Sequence, residues 1–343
     1  MKIKRIKSKL AVIAEKEQPK WNLYKDGLTQ SFINSFLQCK ETTRLRYIEN
    51  WRPKKKSPWF EFGTLFHYCI EQAFKDQAKY DYPNDLPLGA CPNKGHVSKW
   101  IEKYNTEVKN PNEFLDSEEI EYSEIIYALA EKMLPIYFQL RVNDFKNKII
   151  FNETEFDLIA NWRSENSCIR LRGKIDLGWI EPEDDFWLLD TKCLSVIQPE
   201  TIAGIMPFDI QCMFYLLAAY QLGHNPKGIK YNIIRRPQHR KRKDESISSF
   251  TDRIMEDVVD NPAHFFLRLS MSISKEEVEK WKNEPLNEII DEIAVWQTNN
   301  FKSYVNPNSL QTKYGKSQYF NAITQNDFSS FYKSDKVFSE LGE

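Results

Sequence analysis

The stretch "LRGKIDLGWIEPEDDFWLLDTKC" (residues 171–193) contains two apolar, strand-like runs that each carry an acid where a core residue is expected. The polar turn between the two runs predicts a β-hairpin. The acids are Asp176 and Asp190, and the second run also carries Lys192. Because a charge among Ile, Leu and Trp is costly unless it is paired or binds a metal, these three residues indicate a functional site.

Hairpin geometry predicts that the two acids meet. If the hairpin pivots at Glu183, Asp176 and Asp190 each lie seven residues from the pivot and fall opposite each other. Opposed side chains have β-carbons about 4.5–5.5 Å apart, and two carboxylates at that distance repel each other. Lys192 follows Asp190 by two residues, so both point to the same face of the strand. The alternative is a solvent-facing strand edge with an Asp176–Lys192 ion pair.

A divalent metal ion would relieve the repulsion between the two acids. Oxygen ligands suit Mg²⁺ or Mn²⁺ better than zinc. Such an ion can polarise a phosphate oxygen and help to make a hydroxide nucleophile. Lys192 could then orient the attacking water or neutralise the charge that develops on the phosphate.

The elements around the hairpin predict one α/β core with a helical N-terminal extension. Three strands in a row are followed by a helix, two further strands and a helical segment broken near Pro285. The predicted ranges are helix 28–51 capped by Thr29 or Ser31, a helix over 60–77 entered through Gly63, a loop over 80–97, helix 117–140, strands 148–161, 168–180 and 185–192, helix 208–223, strands 227–236 and 264–274, and helix 274–297.

Four short motifs occur in the order that resembles the PD-(D/E)xK nuclease superfamily, specifically its RecB-like branch. "FGTLFHYCIEQAF" resembles the helix with the family histidine, "GKIDLGWI" the strand with the first acid, "WLLDTKC" the D-x-K strand, and "FDIQCMFYLLAAY" the QxxxY helix. The resemblance runs from about residue 31 to residue 236. It implies a restriction-endonuclease-like core with a central mixed sheet flanked by helices.

The resemblance also implies roles for seven residues. The metal ligands would be His67, Asp176, Asp190 and the carbonyl of Thr191, and the catalytic residues would be Asp176, Asp190, Lys192, Gln211 and Tyr215. Gln211 and Tyr215 are four residues apart, so they share one helix face. The alternatives are a packed histidine and a helix with one polar stripe. Glu153 and Glu155 could both reach the site, and the alternation of strand side chains cannot choose between them.

The positions of the cysteines indicate whether this chain could hold a cofactor that some relatives carry. CRISPR adaptation nucleases and AddB-type nucleases hold an iron–sulfur cluster with one cysteine from an N-terminal helix and three from a C-terminal knot. Cys39 occupies the first position here, but Ser309, Ser317 and Ile323 occupy the other three, and none of them replaces a thiolate. We therefore expect no cluster. The six cysteines form no CxxC pair, which predicts reduced thiols in a cytosolic protein; Cys91 and His96 would make only half a zinc site.

The net charge does not indicate nucleic-acid binding, because the 48 basic and 49 acidic residues nearly cancel. A local basic segment instead predicts DNA contact, with a solvated loop as the alternative. This segment is formed by Arg235, Arg236, Arg240, Lys241, Arg242 and Lys243. No apolar run reaches the about 18 residues that a membrane span needs, so we expect a cytoplasmic protein.

These observations predict a metal-dependent DNA nuclease. An exonuclease that processes DNA ends in recombination or replication, of the kind phages encode, is the first choice, with a recombination or replication protein as a partner to consider. The alternatives are an inactive nucleic-acid-binding or assembly protein on the same fold, an endonuclease, and an enzyme acting on RNA or modified DNA. The expected organisation is a basic extended lead-in (1–27), a helical part with the histidine motif (28–145), the nuclease core (146–300) and a C-terminal segment that resembles a cysteine-less knot (301–343).

Overall fold

A six-stranded mixed β-sheet lies at the centre of the protein in a computed structural model that describes residues 20–54, 58–77, 91–108, 117–312 and 315–341. The strands are β1 (Leu28–Thr29), β2 (Trp51–Pro53), β3 (Lys148–Trp162), β4 (Ser164–Ile180), β5 (Phe186–Leu194), β6 (Gly228–Arg235), β7 (Phe266–Ser272), β8 (Gln311–Thr312), β9 (Gly315–Lys316) and β10 (Phe331–Lys333). The central sheet runs in the order β1-β4-β5-β6-β7, and β3 pairs with the other edge of β4.

The helices are α1 (Leu23–Asp26), α2 (Gln30–Gln38), α3 (Lys40–Thr43), α4 (Pro58–Gln77), α5 (Lys94–Glu107), α6 (Ser117–Leu140), α7 (Pro199–Ile205), α8 (Ile210–Gln221), α9 (Ile247–Asp260), α10 (Pro262–Phe265), α11 (Lys275–Trp281), α12 (Asn287–Thr298), α13 (Pro307–Leu310) and α14 (Phe320–Gln325). Short π-helical turns occupy Arg44–Ile48 and Lys282–Leu286, and 3₁₀ turns occupy Val142–Lys146, Met206–Phe208 and Ser339–Leu341. The fold is α/β, as the sequence predicts.

Strand directions make the sheet mixed. β3, β4 and β5 form an antiparallel meander, β5 and β6 run parallel, and β6 and β7 run antiparallel. The parallel step needs a crossover, which α7 and α8 supply between β5 and β6. The hairpin register pairs Leu177 with Leu189 and Ile180 with Phe186, so the turn is centred on residue 183, as predicted.

Two layers of helices cover the sheet and bury separate apolar clusters. On one face α8, α11 and α12 pack with the N-terminal helix α2, and on the other face α4, α5, α6 and α9 pack together. Helix α6 shows why these segments are helical: its buried residues recur at helical spacing through Ile126, Leu129, Ala130, Met133 and Leu134. The sheet is therefore enclosed on both sides, and the site must lie at one of its edges or ends.

Several element boundaries differ from the prediction. Residues 20–27 are not an extended lead-in, because α1 forms there and Trp21 is buried. The helix expected over 28–51 breaks at Cys39, whose backbone is extended. Helix α4 begins at Pro58, so Gly63 lies inside the helix rather than at its entry. The loop expected over 80–97 contains the start of α5, which Asn93 caps; the part before residue 91 lies outside the described residues.

Helix α9 was absent from the prediction, although Ser246 caps it. Other elements match closely. The helix expected over 117–140 spans those residues, Thr29 caps α2, and the break near Pro285 is a π-helical turn rather than an interruption. Among the described residues, no single helix has the length and apolarity to cross a membrane; Pro199–Phe208 and Ile210–Gln221 pass only when taken together, across a 51° bend.

Candidate active site

The site begins where two strands of the sheet separate. β4 pairs with β5 from Ile180 to Leu177, and it pairs with β1 only further along, at Leu171 and Arg172. Asp176 is the first residue of β4 beyond the pairing with β5. Extending the register by one residue puts Asp176 opposite Asp190, which is the juxtaposition that the sequence predicts. The two acids therefore face each other at a fork rather than within a closed ladder.

A connected set of hydrogen bonds joins both acids to helix α8. Gln211 Nε2 donates to Asp190 Oδ1 at 3.1 Å and to the Tyr215 hydroxyl at 2.8 Å. The Tyr215 hydroxyl in turn donates to Asp176 Oδ1 at 3.3 Å. Lys192 Nζ completes the set, because it lies 2.6 Å from Asp190 Oδ2 and donates to Gln211 Oε1. The polar stripe of α8 thus bridges the two strands that carry the acids.

Helix α4 supplies the histidine from the opposite face of the sheet. Its neighbours Leu65, Phe66 and Cys69 are fully buried and fix the helix against the sheet, while the side chain of His67 is 32% exposed. His67 Nδ1 lies 3.6 Å from Asp176 Oδ2, and the backbone of Thr191 forms a hydrogen bond with the His67 ring. His67 is therefore a residue of the site and not part of the apolar packing.

Glu153, one of the two open candidates, also reaches Asp176. A bulge after Ile149 shifts the β3–β4 register, so that Asn152 pairs with Leu177 and Thr154 with Ile175. Glu153, between them, has a positive φ of 47° and an ion pair with Lys174. Glu155 is exposed. Glu153 and Glu155 are two residues apart, so alternation along a strand cannot separate them. The register after the bulge decides, because Glu153 lies opposite Asp176 and Glu155 pairs with Lys174.

The carboxylates and the histidine fit a divalent metal ion. One ligand atom from each of His67, Glu153 and Asp176 lies within 4.8 Å of the others. Carboxylate oxygens suit hard ions such as Mg²⁺ and Mn²⁺, whereas imidazole also suits transition metals, so the set fits a divalent ion without fixing which one. Asp190 adds negative charge beside Asp176, and the Thr191 N–H donates to Asp176 Oδ2 at 3.3 Å. All seven residues predicted for the site therefore meet, and Glu153 joins them.

Burial and mutual repulsion disfavour the ionised forms of the carboxylates that meet at the site. Burial raises the pKa of Asp176 well above its usual value, and repulsion from Asp190 and Glu153 adds to the rise. Burial also raises the pKa of Glu153, although the pairing with Lys174 opposes this. Burial lowers the pKa of His67, so its ring stays neutral and can act as a ligand. A bound cation would offset the repulsion between the acids.

For Lys192, unlike the acids, the neighbouring charges favour the ionised form. Burial opposes its charge, but Asp190 and Asp209 outweigh burial and raise its pKa. Asp209 lies 4.0 Å from Lys192 Nζ, caps α8 and accepts a hydrogen bond from Tyr231. The sequence analysis missed Asp209 and Tyr231. An acid directly before an apolar helix is a cap signal that identifies Asp209, whereas nothing in the sequence identifies Tyr231.

The predicted basic segment divides into residues with different environments. The Arg235 guanidinium donates to the carbonyls of His264 and Ile197. Lys241 is paired with Glu121 at 2.9 Å. Arg240, Arg242 and Lys243 are exposed. Because β6 is parallel to β5, this segment leaves the sheet at the end where β5 passes Lys192 and terminates at Leu194.

The predicted cluster remnant lies away from this site. Cys39 lies beside Ser309, one of the three positions expected in a knot. Burial opposes ionisation of the Cys39 thiol, but hydrogen bonds with Ser309, Thr42 and Asn306 outweigh it and lower its pKa. Ile323 packs on an apolar cluster around Leu45 instead. The C-terminal segment thus contacts the N-terminal helices, through Tyr319 among others, whereas Tyr314 lies outside the described residues.

A comparison with protein families matches residues 27–303 to the PD-(D/E)XK nuclease superfamily. The chain belongs to this superfamily. PD-(D/E)XK nucleases are hydrolases that use divalent metal ions, which agrees with the ligand set around Asp176. The matched segment contains every residue of the candidate site. No curated protein matches the chain.

Proposed function

We propose that this PD-(D/E)XK protein is a Mg²⁺- or Mn²⁺-dependent deoxyribonuclease of the RecB-like branch. The observation that carries the proposal is the convergence of four separate motifs, from α4, β4, β5 and α8, on one fork of the sheet. An unused fold would not need to hold repelling carboxylates together. The site would hydrolyse phosphodiester bonds.

The metal would be held by His67, Glu153 and Asp176, with Asp190 and the carbonyl of Thr191 beside them. When bound, it supplies a polarised phosphate oxygen and a more acidic water molecule. The carboxylates would fix the position of the bound cation, because β4 and β5 are held in register up to Leu177 and Leu189. The ligands are only partly buried, so substrate and water can reach the site while the low dielectric around them strengthens these interactions.

Lys192 and the α8 side chains would act on the substrate directly. The Lys192 ammonium stays charged between Asp190 and Asp209, and it can orient the attacking water or stabilise negative charge on the phosphate. Gln211 fixes Lys192 and Asp190 at once, so it positions the ammonium. Burial raises the pKa of Tyr215, and Asp176 and Asp190 raise it further, so its hydroxyl remains a hydrogen-bond donor.

DNA is the proposed substrate, held by phosphate contacts from the basic segment after β6. These contacts are independent of sequence and weaken as salt increases. Arg242 and Lys243, both exposed on this segment, would make contacts of this general kind. The choice of an exonuclease that processes ends in recombination or replication rests on analogy with the branch. A cytoplasmic location, a phage origin and a recombination partner are parts of the same proposal.

The test uses linear and circular DNA incubated with Mg²⁺ or Mn²⁺. We expect the wild type to degrade linear DNA, and Asp190→Ala and Lys192→Ala to lose activity by about 100-fold or more, since each removes charge stabilisation from the transition state. EDTA should abolish cleavage. Lys280→Ala, an exposed lysine on α11, is the matched control and should retain full activity.

The product pattern separates the alternatives. Loss of linear DNA alone supports an exonuclease, and nicking of circles supports an endonuclease. DNA binding without any metal-dependent cleavage, unchanged in both variants, would contradict the proposal and favour the inactive binding protein. An end-labelled duplex then reports polarity.

A further inference from the structure

A cleft of about 450 Å³ lies beside the site, on the face of the sheet that carries α4 and α6. Helices α4, α6 and α9 form its walls, and the segment after β6 forms its rim. Of the residues that the sequence predicts for the site, only Arg236, Arg240 and Lys241 of the basic segment line it. The residues that matter to its chemistry are Tyr122, Ile125, Leu129, Arg236, Arg240 and Lys241.

The cleft combines an apolar wall with a cationic rim. Phe62, Ile126 and Phe250 form the buried part of the wall, and Tyr122 adds a ring that is partly exposed. Burial raises the pKa of Tyr122 to about 12, although the charge of nearby Arg236 opposes this, so the phenol is neutral. An apolar and aromatic wall facing cations is complementary to a flat, uncharged ring that carries an anionic group.

The position of the cleft ties it to the proposed active site. The Arg236 N–H donates to the Leu194 carbonyl at 2.8 Å, and Leu194 follows Lys192 by two residues, or about 7 Å along the strand. On the other side, Gly63 of α4 faces Cys193, the residue next to Lys192. The rim and the α4 wall of the cleft therefore adjoin the end of β5 that carries Lys192.

We propose that this cleft binds one unpaired nucleotide of the substrate strand, with the base against Tyr122 and the apolar wall and the phosphate at Arg240. The proposal rests on the proposed function and extends it to a preference for single-stranded or frayed DNA. A base in duplex DNA cannot enter, because its faces are stacked and its edge is paired. Lys241 is already paired with Glu121, so exposed Arg240 is the rim cation best placed for a phosphate.

The test measures binding of a fluorescent oligothymidylate and of a blunt duplex in EDTA, where no strand is cut. We expect Tyr122→Leu and Arg240→Ala to weaken oligothymidylate binding by about tenfold, as loss of one stacked base does, and duplex binding by less than about twofold. Tyr122→Phe keeps the ring and should retain binding, which separates stacking from a folding defect.

Arg242→Ala is the matched control, since Arg242 is exposed on the same segment but does not line the cleft. It should weaken both DNAs by the same factor, as a general electrostatic contact does. Equal losses for the Arg240 and Arg242 variants, with no effect of Tyr122→Leu, would overturn the subsite. The subsite would also be overturned if an acidic, tyrosine-containing polypeptide bound the cleft and the oligonucleotide did not. That result would indicate a protein partner.

The outcomes for the subsite and for the nuclease are independent. Wild-type cleavage of DNA together with unaltered binding in the Tyr122 and Arg240 variants would reject the subsite and leave the nuclease standing. Tyr122-dependent binding of single strands without metal-dependent cleavage would support the subsite and reject the nuclease.

Discussion

Asp176 is the residue on which the site depends, because groups from α4, α8, β3 and β5 surround it. Its two oxygens contact His67, the Thr191 N–H and the Tyr215 hydroxyl, and it faces Asp190 and Glu153. Without a cation, these neighbours favour its protonated form. The same residue therefore weakens the metal-free protein and, in the proposed function, holds the metal ion, a conflict typical of catalytic sites.

We expect Asp176→Asn to raise the melting temperature of the metal-free protein while abolishing cleavage. Because the pKa of Asp176 is raised on folding, stability falls as pH rises from the unfolded-state pKa through the folded-state pKa. Asparagine removes that loss, and each kcal/mol gained is worth about 1–2 °C in a chain of 343 residues. The gain should be largest at alkaline pH and vanish in acid, where both states are protonated. Thermal unfolding in EDTA across pH measures it.

Asp184→Asn is the control for that experiment, because Asp184 is exposed in the hairpin turn and has a left-handed backbone that asparagine tolerates. Its melting temperature should not change at any pH. A lower melting temperature for Asp176→Asn at neutral pH would show that the acids are not in conflict.

A second prediction at this scale concerns the two glutamates of β3. Glu153→Gln should weaken Mn²⁺ binding by about tenfold or more, since losing even an outer-shell partner of a metal has such an effect. Glu155→Gln should leave it unchanged, because Glu155 is exposed and pairs in register with Lys174 rather than with Asp176. Calorimetric titration measures both, and equal affinities would remove Glu153 from the ligand set.

At the scale of elements, a meander, a bulge and two helices together bring the site residues to one fork of the sheet. The hairpin fixes Asp176 and Asp190, the bulge turns Glu153 inward, and α4 and α8 approach from opposite faces. The hairpin was predictable because its turn is short and polar and lies between two apolar, strand-like runs. Helix α9 and the start of α5 were not, because both follow polar segments in which capping competes with turn formation.

The edge of this sheet is anchored by one buried ion pair. Arg268 of β7 binds both oxygens of Asp144, each at 2.7 Å, and Asp144 lies in the turn between α6 and β3. Asp144→Asn should lower the free energy of unfolding by about 3 kcal/mol, because it leaves a buried guanidinium without its partner charge. Urea unfolding measures the change.

The matched variant is Glu292→Gln, which breaks the exposed ion pair between Glu292 and Lys40. Exposed ion pairs contribute about 0–1 kcal/mol, so this variant should unfold close to the wild type. Similar losses in the two variants would mean that the Asp144–Arg268 pair does not anchor the edge.

At the scale of the whole molecule, the C-terminal segment beyond the matched residues 27–303 is part of the core. β10 pairs with β2, the Arg52 guanidinium donates to the Val337 carbonyl at 2.8 Å, and Phe338 is 1% exposed against Tyr47. The segment therefore ties the N-terminal helices to the sheet. In this role it resembles a knot held by packing, with Cys39 and Ser309 in contact.

Phe338→Ala should destabilise the protein by about 3–5 kcal/mol, the usual range for removing a buried aromatic side chain. Tyr332→Ala, on the same segment but half exposed, should lose less than about 1 kcal/mol. Chemical denaturation compares the two. Equal and small losses would show that the segment is dispensable, contrary to its packing.

The sequence by itself determined the hairpin and most of the residues that meet at the site, whereas the pairing of β1 that makes the fork came from the structure. A period of two and a short turn fix a hairpin register locally, and a helix fixes residues four apart, so Asp176, Asp190, Lys192, Gln211 and Tyr215 followed from spacing and motif order. Only the tertiary structure decided between Glu153 and Glu155, brought Tyr231 beneath Lys192, and set the basic segment against the cleft. Those contacts join residues far apart in the chain, where a single bulge or helix packing, and no local pattern, sets which side chains meet.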